Sequence, residues 1–157
     1  MHAGAFGTAI PVKHFENFVQ HTNELLKNIT YEDVIFVDFS FNGSCNSGLI
    51  LELNQYKYMY GQGFSEPMIA IYNLCINSSN CTIMGAKSDT IKIIDTNGVS
   101  YMLFRQNEET VDKFKELIRN GAFLINLVGK GNINEWNGRI TEQLFIDSFE
   151  IISKPVF

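Results

Sequence analysis

The chain has 157 residues, of which 45% are apolar and 18% are charged, so it can bury a core and is not a disordered polypeptide. It contains no run of eighteen apolar residues and no basic, apolar leader at its amino end. We therefore expect no membrane span, no export signal and a cytoplasmic location. Twelve Lys and Arg face seventeen Asp and Glu, a formal net charge of −5. This balance excludes a chain-wide basic surface for nucleic acid, so any such site must be local.

The first 67 residues mix helix and strand signals. Apolar residues recur at helical spacing from Phe15 to Ile29 and predict an amphipathic helix. Residues 34–41 are rich in β-branched and aromatic types and predict a buried strand, and a second helix is expected over about residues 46–57. Two glycines and a proline within residues 60–67 then predict a loop or a domain junction.

After Pro67, short strand-like runs alternate with turns. The predicted strands cover residues 68–76, 81–86, 90–96, 99–104, 122–129 and 139–147. One helix interrupts them at about residues 109–119, where apolar residues share one face. This pattern suits a small closed barrel better than a sandwich. The predicted fold class is therefore α+β, a small α/β segment followed by a barrel with one helix.

The pair Asn97-Gly98 predicts a two-residue hairpin turn, which places Ile94 opposite Tyr101. The side chains that this register directs into the core are Ile91, Ile93, Met102 and Phe104. Those that it directs outward are Lys92, Tyr101 and Arg105, with Lys87 just upstream. Cations beside an aromatic ring suit a groove for unpaired nucleic acid. The alternative is that Tyr101 packs beneath the helix and the cations are merely solvated.

A second possible hairpin turn, Asn137-Gly138, pairs Trp136 with Arg139. An indole beside a guanidinium is either a cation–π pair or a platform for a base with a phosphate clamp. The alternative is that the indole plugs one end of the barrel. Asn134, two residues earlier, is interpreted as a turn-former that satisfies backbone groups.

Catalytic patterns are missing from the sequence. No GxSxG, HExxH, Walker or GxGxxG pattern occurs, the acidic residues form no DxD or DHH cluster, and the three cysteines lack CxxC spacing. His14 and His21 lie beside the apolar stripe of the first predicted helix, where surface positions are expected. We therefore expect no catalytic residue, no metal ligand and no cofactor in this chain itself.

Three stretches resemble the carboxy-terminal portion of RecJ, the single-strand-specific exonuclease of the DHH phosphoesterase superfamily. Residues 2–7, HAGAFG, resemble the tail of its GGH-x-x-A-A-G motif. Residues 60–67, YGQGFSEP, resemble its P-F-G-x-G-N-x-E-P segment. Residues 128–144 contain VG, NEWNG and QL in the order of its V-G … N-x-W-x-G … Q-L ending.

The resemblance implies that residues 1–67 are the end of a DHHA1 domain and its junction, and that residues 68–157 are an OB domain. Members of this family cut single-stranded DNA from its 5′ end with Mn²⁺ or Mg²⁺, which is held in a DHH domain outside this sequence. His2 matches a motif histidine that helps to hold substrate phosphate.

The expected function is that of a carboxy-terminal fragment of a RecJ-like DNA exonuclease, inactive alone, which grips single-stranded DNA and guides it to catalytic groups elsewhere. The residues expected to contact the strand are Lys87, Lys92, Tyr101, Arg105, Trp136 and Arg139. The alternative is an OB-type protein-interaction module within a DNA repair or recombination complex, since an acidic surface suits a basic partner. Other DNA repair proteins are accordingly possible partners.

Overall fold

A computed structural model describes residues 7–29 and 34–153 of the chain. The chain divides into two compact units, residues 1–35 and residues 36–157. In the first unit a 3₁₀ turn at Val12–His14 leads into helix α1, Phe15–Leu26. The predicted first helix is thus confirmed, although it ends three residues before Ile29. No residue of α1 is buried, so its apolar stripe is open to solvent.

The second unit is built on one seven-stranded sheet in the order β1-β2-β6-β7-β5-β4-β3. The strands are β1 Phe39–Asn42, β2 Met68–Ile76, β3 Cys81–Met84, β4 Thr90–Ile94, β5 Ser100–Leu103, β6 Phe123–Trp136 and β7 Arg139–Ser153. Its helices are α2 Leu49–Asn54 and α3 Glu108–Arg119, and a 3₁₀ turn covers Lys57–Met59. The α+β class is confirmed. Residues 36–67, which the sequence analysis grouped with the first domain, lie in the same unit as the later strands.

The sheet does not close into a barrel among the described residues, so the closed-barrel prediction is wrong. β1 and β3 are its two edges. β2 pairs in parallel with β1 and antiparallel with β6, so its first half has no free edge left for β3. The predicted strand over 34–41 proved to be only the short edge strand β1, with Val34 to Asp38 outside any strand.

The inner face of the sheet holds the core. Along β6 the odd-numbered residues from Phe123 to Gly129 are buried and the even-numbered ones are partly exposed, as period-2 alternation requires. Helix α3 packs on this inner face, where the ring of Phe114 lies 5.6 Å from that of Phe123 and 5.7 Å from that of Phe149. Both helices of this unit contact inner-face residues. On the outer face Ala70 and Met102 are buried, whereas Thr82 and Phe104 are exposed.

The hairpin of β4 and β5 differs from its predicted register by one residue. The backbone pairs Ile93 with Tyr101, and three residues, Thr96 to Gly98, form the loop instead of two. The side chain of Asp95 stabilises this longer loop. Its Oδ1 accepts hydrogen bonds from the backbone N–H groups of Asn97 and Val99, each at 2.9 Å. A slip of one residue exchanges the two faces. Tyr101 and Leu103 therefore point inward, while Met102 and Phe104 belong to the outer face.

The hairpin of β6 and β7 agrees with its prediction. Asn137 and Gly138 have φ values of 51° and 72°, as a type I′ turn requires, and Trp136 pairs with Arg139. Both strands run further than predicted. Asn134 lies inside the ladder opposite Thr141, so its interpretation as a turn-former is wrong.

A glycine sits where β6 and β7 change register. The ladder shifts between Val128 and Gly129, and a Cβ added at Gly129 would overlap the carbonyl oxygen of Phe145 on β7. Only a residue without a side chain allows the two backbones to approach this closely. This close approach of β6 and β7 is a physical reason for the glycine of the Val128-Gly129 pair.

We predict that Gly129→Ala lowers the free energy of unfolding by about 3 kcal/mol, because the β6 backbone must move to relieve the overlap. Gly61→Ala is the matched control, since a Cβ there meets nothing within 4 Å and the residue has no positive φ. Urea unfolding followed by circular dichroism measures both variants. Equal midpoints for the two would contradict the prediction.

Candidate nucleic-acid interface

A row of side chains crosses the outer face of the sheet where five strand pairings line up. Each member is the register partner of the next on the neighbouring strand. In order across the sheet the members are Thr82, Lys92, Met102, Phe145, Lys130 and Met68. We call this set the outer row. One lysine lies on each side of Phe145 in this row, with the buried Met102 between Lys92 and the ring. Cations near an aromatic ring are a combination that proteins use to bind unpaired nucleic acid.

The cations of the outer row are available for an anion. Lys92 is partly exposed between the buried Ile91 and Ile93, and in the described part of the chain no carboxylate lies within 4 Å of its ammonium. Lys130 Nζ lies 4.0 Å from Asp147 Oδ2, and both side chains are about half exposed. Such a loose surface pair is worth little, so a phosphate can compete for the lysine.

The aromatic part of the row is wider than one ring. Phe104, on the outer face and 45% exposed, stands edge-on to Phe145 with ring centroids 5.1 Å apart. Each exposed ring offers a face on which a base can stack.

The β6–β7 hairpin extends the outer face beyond its neighbours. β2 pairs with β6 only as far as Lys130, and β5 pairs with β7 only from Gln143 onward. The two strands therefore continue past their neighbours towards Trp136 and Arg139. We call residues 130–145 the ribbon, of which residues 133–142 form a two-stranded end. Trp136 is 72% exposed, so its indole does not plug a barrel end. From Lys130 to Trp136 the outer face runs for about 20 Å along β6.

Two of the predicted cations lie at the other end of the sheet. Lys87 is exposed in the loop between β3 and β4, and Arg105 is exposed in the bend after β5, with a φ of 54°. The N–H of Gln106 donates to the carbonyl of Asp89 at 2.8 Å and ties these two segments together. The structure thus brings Lys92 into the outer row and pairs Trp136 with Arg139, but it separates Lys87 and Arg105 from the ribbon.

Tyr101 cannot meet a base in this structure, which corrects its predicted outward position. Its side chain is fully buried, and its hydroxyl donates to Asp95 Oδ2 at 2.6 Å while accepting from the N–H of Cys45 at 2.9 Å. The same Asp95 oxygen accepts from Cys45 N–H at 2.9 Å. Burial, then the hydrogen bond to Asp95, raises the pKa of Tyr101 far above its usual value. Burial, then the charge of Asp95, raises the pKa of the Cys45 thiol to about 12.

The base of the ribbon is held on its inner side by α2. The carboxylate of Glu142 accepts from the N–H groups of Gly48 at 2.8 Å and Ile50 at 3.0 Å, which have no partner within the helix. Ile50 is buried and packs against Gly131. A Cβ added to Gly131 would lie 3.2 Å from Cγ2 of Ile50. On the outer face of the ribbon the side chains nearest its tip, Asn134, Trp136, Arg139 and Thr141, are exposed.

The described residues include no group of three or more His, Cys, Asp or Glu side chains that could hold a metal ion. His2, the predicted phosphate contact, lies outside the described residues. Within the part of the chain that the structure covers, no helix is both long and apolar enough to cross a membrane.

One cation and two rings of the outer face were not predicted from the sequence: Lys130, Phe145 and Phe104. The one-residue slip at Asp95 assigned Phe104 to the core. The other two carried a usable signal, because alternation from Trp136 back along β6 and its partner strand puts Lys130 and Phe145 on the same face as Arg139. That inference required a long hairpin, whereas the predicted strands stopped at 129 and 147.

The second unit is an α+β fold built on one seven-stranded open sheet. The RecJ OB domain model matches residues 42–148, more than half of the chain. The chain therefore belongs to the RecJ OB domain family, and the resemblance to RecJ is confirmed.

Two curated relatives are similar to the chain over nearly its whole length. They are YorK of Bacillus subtilis (strain 168) and yorK of Bacillus phage SPbeta, both named as single-strand DNA-specific exonucleases. Each is 31% identical over 154 residues, which is 96% of this chain and 26% of the relative. The chain thus spans about a quarter of their length.

Two solved structures of RecJ from Thermus thermophilus share the fold. The Mn²⁺ complex superposes with a TM-score of 0.59 at 15% identity, covering 92% of this chain and 20% of that one. The Mg²⁺ complex gives 0.57 at 14% identity, covering 95% and 21%.

We predict that Tyr101→Phe lowers the free energy of unfolding by about 1–2 kcal/mol, because the carboxylate of Asp95 loses a buried donor. The pKa of Tyr101 is higher in the folded state than its usual value of about 10, so stability from this group is present below pH 10 and is lost as the pH rises above it. Between pH 7 and 11 the free energy of unfolding should therefore fall less steeply with pH in the variant than in the wild type. An unchanged alkaline slope would contradict the assignment.

Proposed function

We propose that this chain binds a single strand of DNA along the outer face of its sheet. The observation that carries the proposal is the outer row, which sets Lys92 and Lys130 on either side of Phe145 and continues into Trp136 and Arg139. The lysines would take phosphates and the rings would stack on bases. Since the net charge of the chain is −5, we expect weak binding that salt reduces further.

In the parent protein this face would hold DNA for a catalytic centre located elsewhere. Support comes from the names of the relatives, of which the chain covers only 26%. We propose that the parent is a RecJ-like 5′–3′ exonuclease, that residues 1–67 include the end of its DHHA1 domain, and that His2 contacts substrate phosphate there. We propose that Mn²⁺ or Mg²⁺ is held in a DHH domain outside this chain, as the resemblance to RecJ implies. We place the protein in the cytoplasm, where its proposed substrate is found.

A second candidate function, protein interaction within a DNA repair or recombination complex, is favoured by one observation. A cleft of about 440 Å³ between β1 and the segment after α2 is lined mainly by apolar and aromatic side chains. Tyr56, Met59 and Phe64 in its lining are each about half exposed. Exposed apolar clusters of this kind are typical of protein contact sites. Binding through this cleft would respond little to salt.

The double variant Lys92→Gln, Lys130→Gln tests the DNA-binding function. We expect it to weaken binding of an oligothymidine and to reduce the slope of log K against log salt concentration by about 1.4, or about 0.7 for each phosphate that is no longer neutralised. Fluorescence anisotropy between about 20 and about 200 mM salt measures both quantities.

Lys115→Gln is the matched control, because Lys115 lies on α3 and already pairs with Asp112 at 2.8 Å. It should leave both the affinity and the slope unchanged. If the control and the double variant behave alike, the outer row does not contact phosphate.

The isolated chain should not degrade DNA. We expect an end-labelled single strand to remain intact after incubation with the pure chain and Mn²⁺, because the described residues contain no cluster of three or more His, Cys, Asp or Glu side chains that could hold the metal. Gel electrophoresis of the labelled strand is the measurement, and the parent protein is the positive control. Metal-dependent shortening of the labelled strand by the chain alone would refute the proposal that the catalytic centre lies elsewhere in the parent protein.

A further inference from the structure

The outer face of the ribbon carries uncharged amides between its two ends. At one end Trp136 pairs with Arg139, and at the other Lys130 pairs with Phe145. Between these ends lie two further cross-strand pairs, Asn132–Gln143 and Asn134–Thr141. We call these two pairs the amide rungs. No charged residue interrupts them on this face.

The side-chain amides of the rungs do not stabilise the fold through hydrogen bonds within the described residues. No hydrogen bond within the described part of the chain involves the side-chain amide of Asn132, Asn134 or Gln143. Thr141 Oγ1 donates to the backbone carbonyl of Asn134 at 3.3 Å, and the backbone groups of both strands are already paired in the ladder. Asparagine is also a poor strand former. Two asparagines on one face of a strand therefore cost stability that nothing within the described fold recovers.

A primary amide is chemically suited to the edge of a base. It presents a donor and an acceptor side by side, as base edges do, whereas a phosphate offers acceptors only. Successive rungs are about 6.8 Å apart along the strand, a spacing that an extended polynucleotide can follow. The amide can also turn over to exchange donor and acceptor, so it tolerates different bases.

We propose that the amide rungs bind base edges of the DNA strand, next to a base stacked on Trp136. This inference rests on the proposed DNA-binding function. It assigns to the ribbon the part of the affinity for DNA that comes from contacts with bases and does not depend on charge. The lysines of the outer row and Arg139 supply the part that depends on salt. Base contact by the rungs requires a base at each position but does not require a particular one.

The test compares two labelled strands of equal length, an oligothymidine and an abasic oligodeoxynucleotide, with the whole chain. The variant is Asn132→Val combined with Asn134→Val, because valine is a better strand former and should preserve the ribbon. We expect about tenfold weaker binding of the oligothymidine at every salt concentration, with an unchanged salt slope, and no change for the abasic strand. An oligoadenosine should show a similar loss.

Ile140→Ala is the matched control. Ile140 is 57% exposed on the opposite face of the same ribbon, opposite Glu135, and its truncation should change neither binding curve by more than about twofold. Thermal unfolding of the asparagine variant should occur at the same temperature as in the wild type or higher, which distinguishes weaker binding from disruption of the fold.

The outcomes separate the inference from the function on which it rests. If the wild type binds neither strand, the proposed function fails and the inference fails with it. If the wild type binds both strands equally, or if the variant loses affinity for both or changes the salt slope, the DNA-binding function stands and base contact by the rungs is refuted. An unaffected variant also refutes it.

Discussion

The pairing of β6 with β7 is the constraint on which the rest of the unit depends. It joins fourteen residues of one strand to fifteen of the other, and β2 and β5 attach to its two outer edges. The turn at Asn137-Gly138 sets the register at one end, and Gly129 permits the shift in the middle. Since each residue of the pair has a fixed face, this one ladder decides which side chains enter the core and which face solvent.

The two faces of the ladder are used differently. Inward residues pack with Phe114 of α3 and with Ile50 of α2, and the carboxylate of Glu142 fixes the start of α2 against the base of the ribbon. The outer face carries the partly exposed Lys92 and Lys130 near the ring of Phe145. An acidic chain can therefore offer a local site for an anion without a basic surface overall, because Lys92 and Lys130 lie in one row with Phe145.

Asp95 connects the smaller hairpin to the loop before α2. One of its oxygens shapes the turn, and the other receives the hydroxyl of Tyr101 and the N–H of Cys45. This buried network replaces the binding role that the sequence suggested for Tyr101. A polar ring placed in the core with its partners satisfied stiffens the structure around it. Lys92, one strand away, nevertheless faces outward, because its neighbours Ile91 and Ile93 had to face inward.

Local pattern alone determined much of this protein. Helical spacing predicted α1 and α3, alternation predicted most of the strands, and Asn137-Gly138 predicted a turn whose φ values only such residues readily adopt. These features follow from neighbours in the chain. Tertiary structure decided the rest: β1 occupying the edge of β2, the three-residue loop at Asp95, and the alignment of Lys92, Phe145 and Lys130. The edge position of β1 and the aligned row depend on groups that are distant in sequence. The loop depends on a carboxylate that binds the nearby Asn97 and Val99 and also the distant Cys45. A shift of a single residue in pairing reverses the faces, which local preferences are too weak to specify.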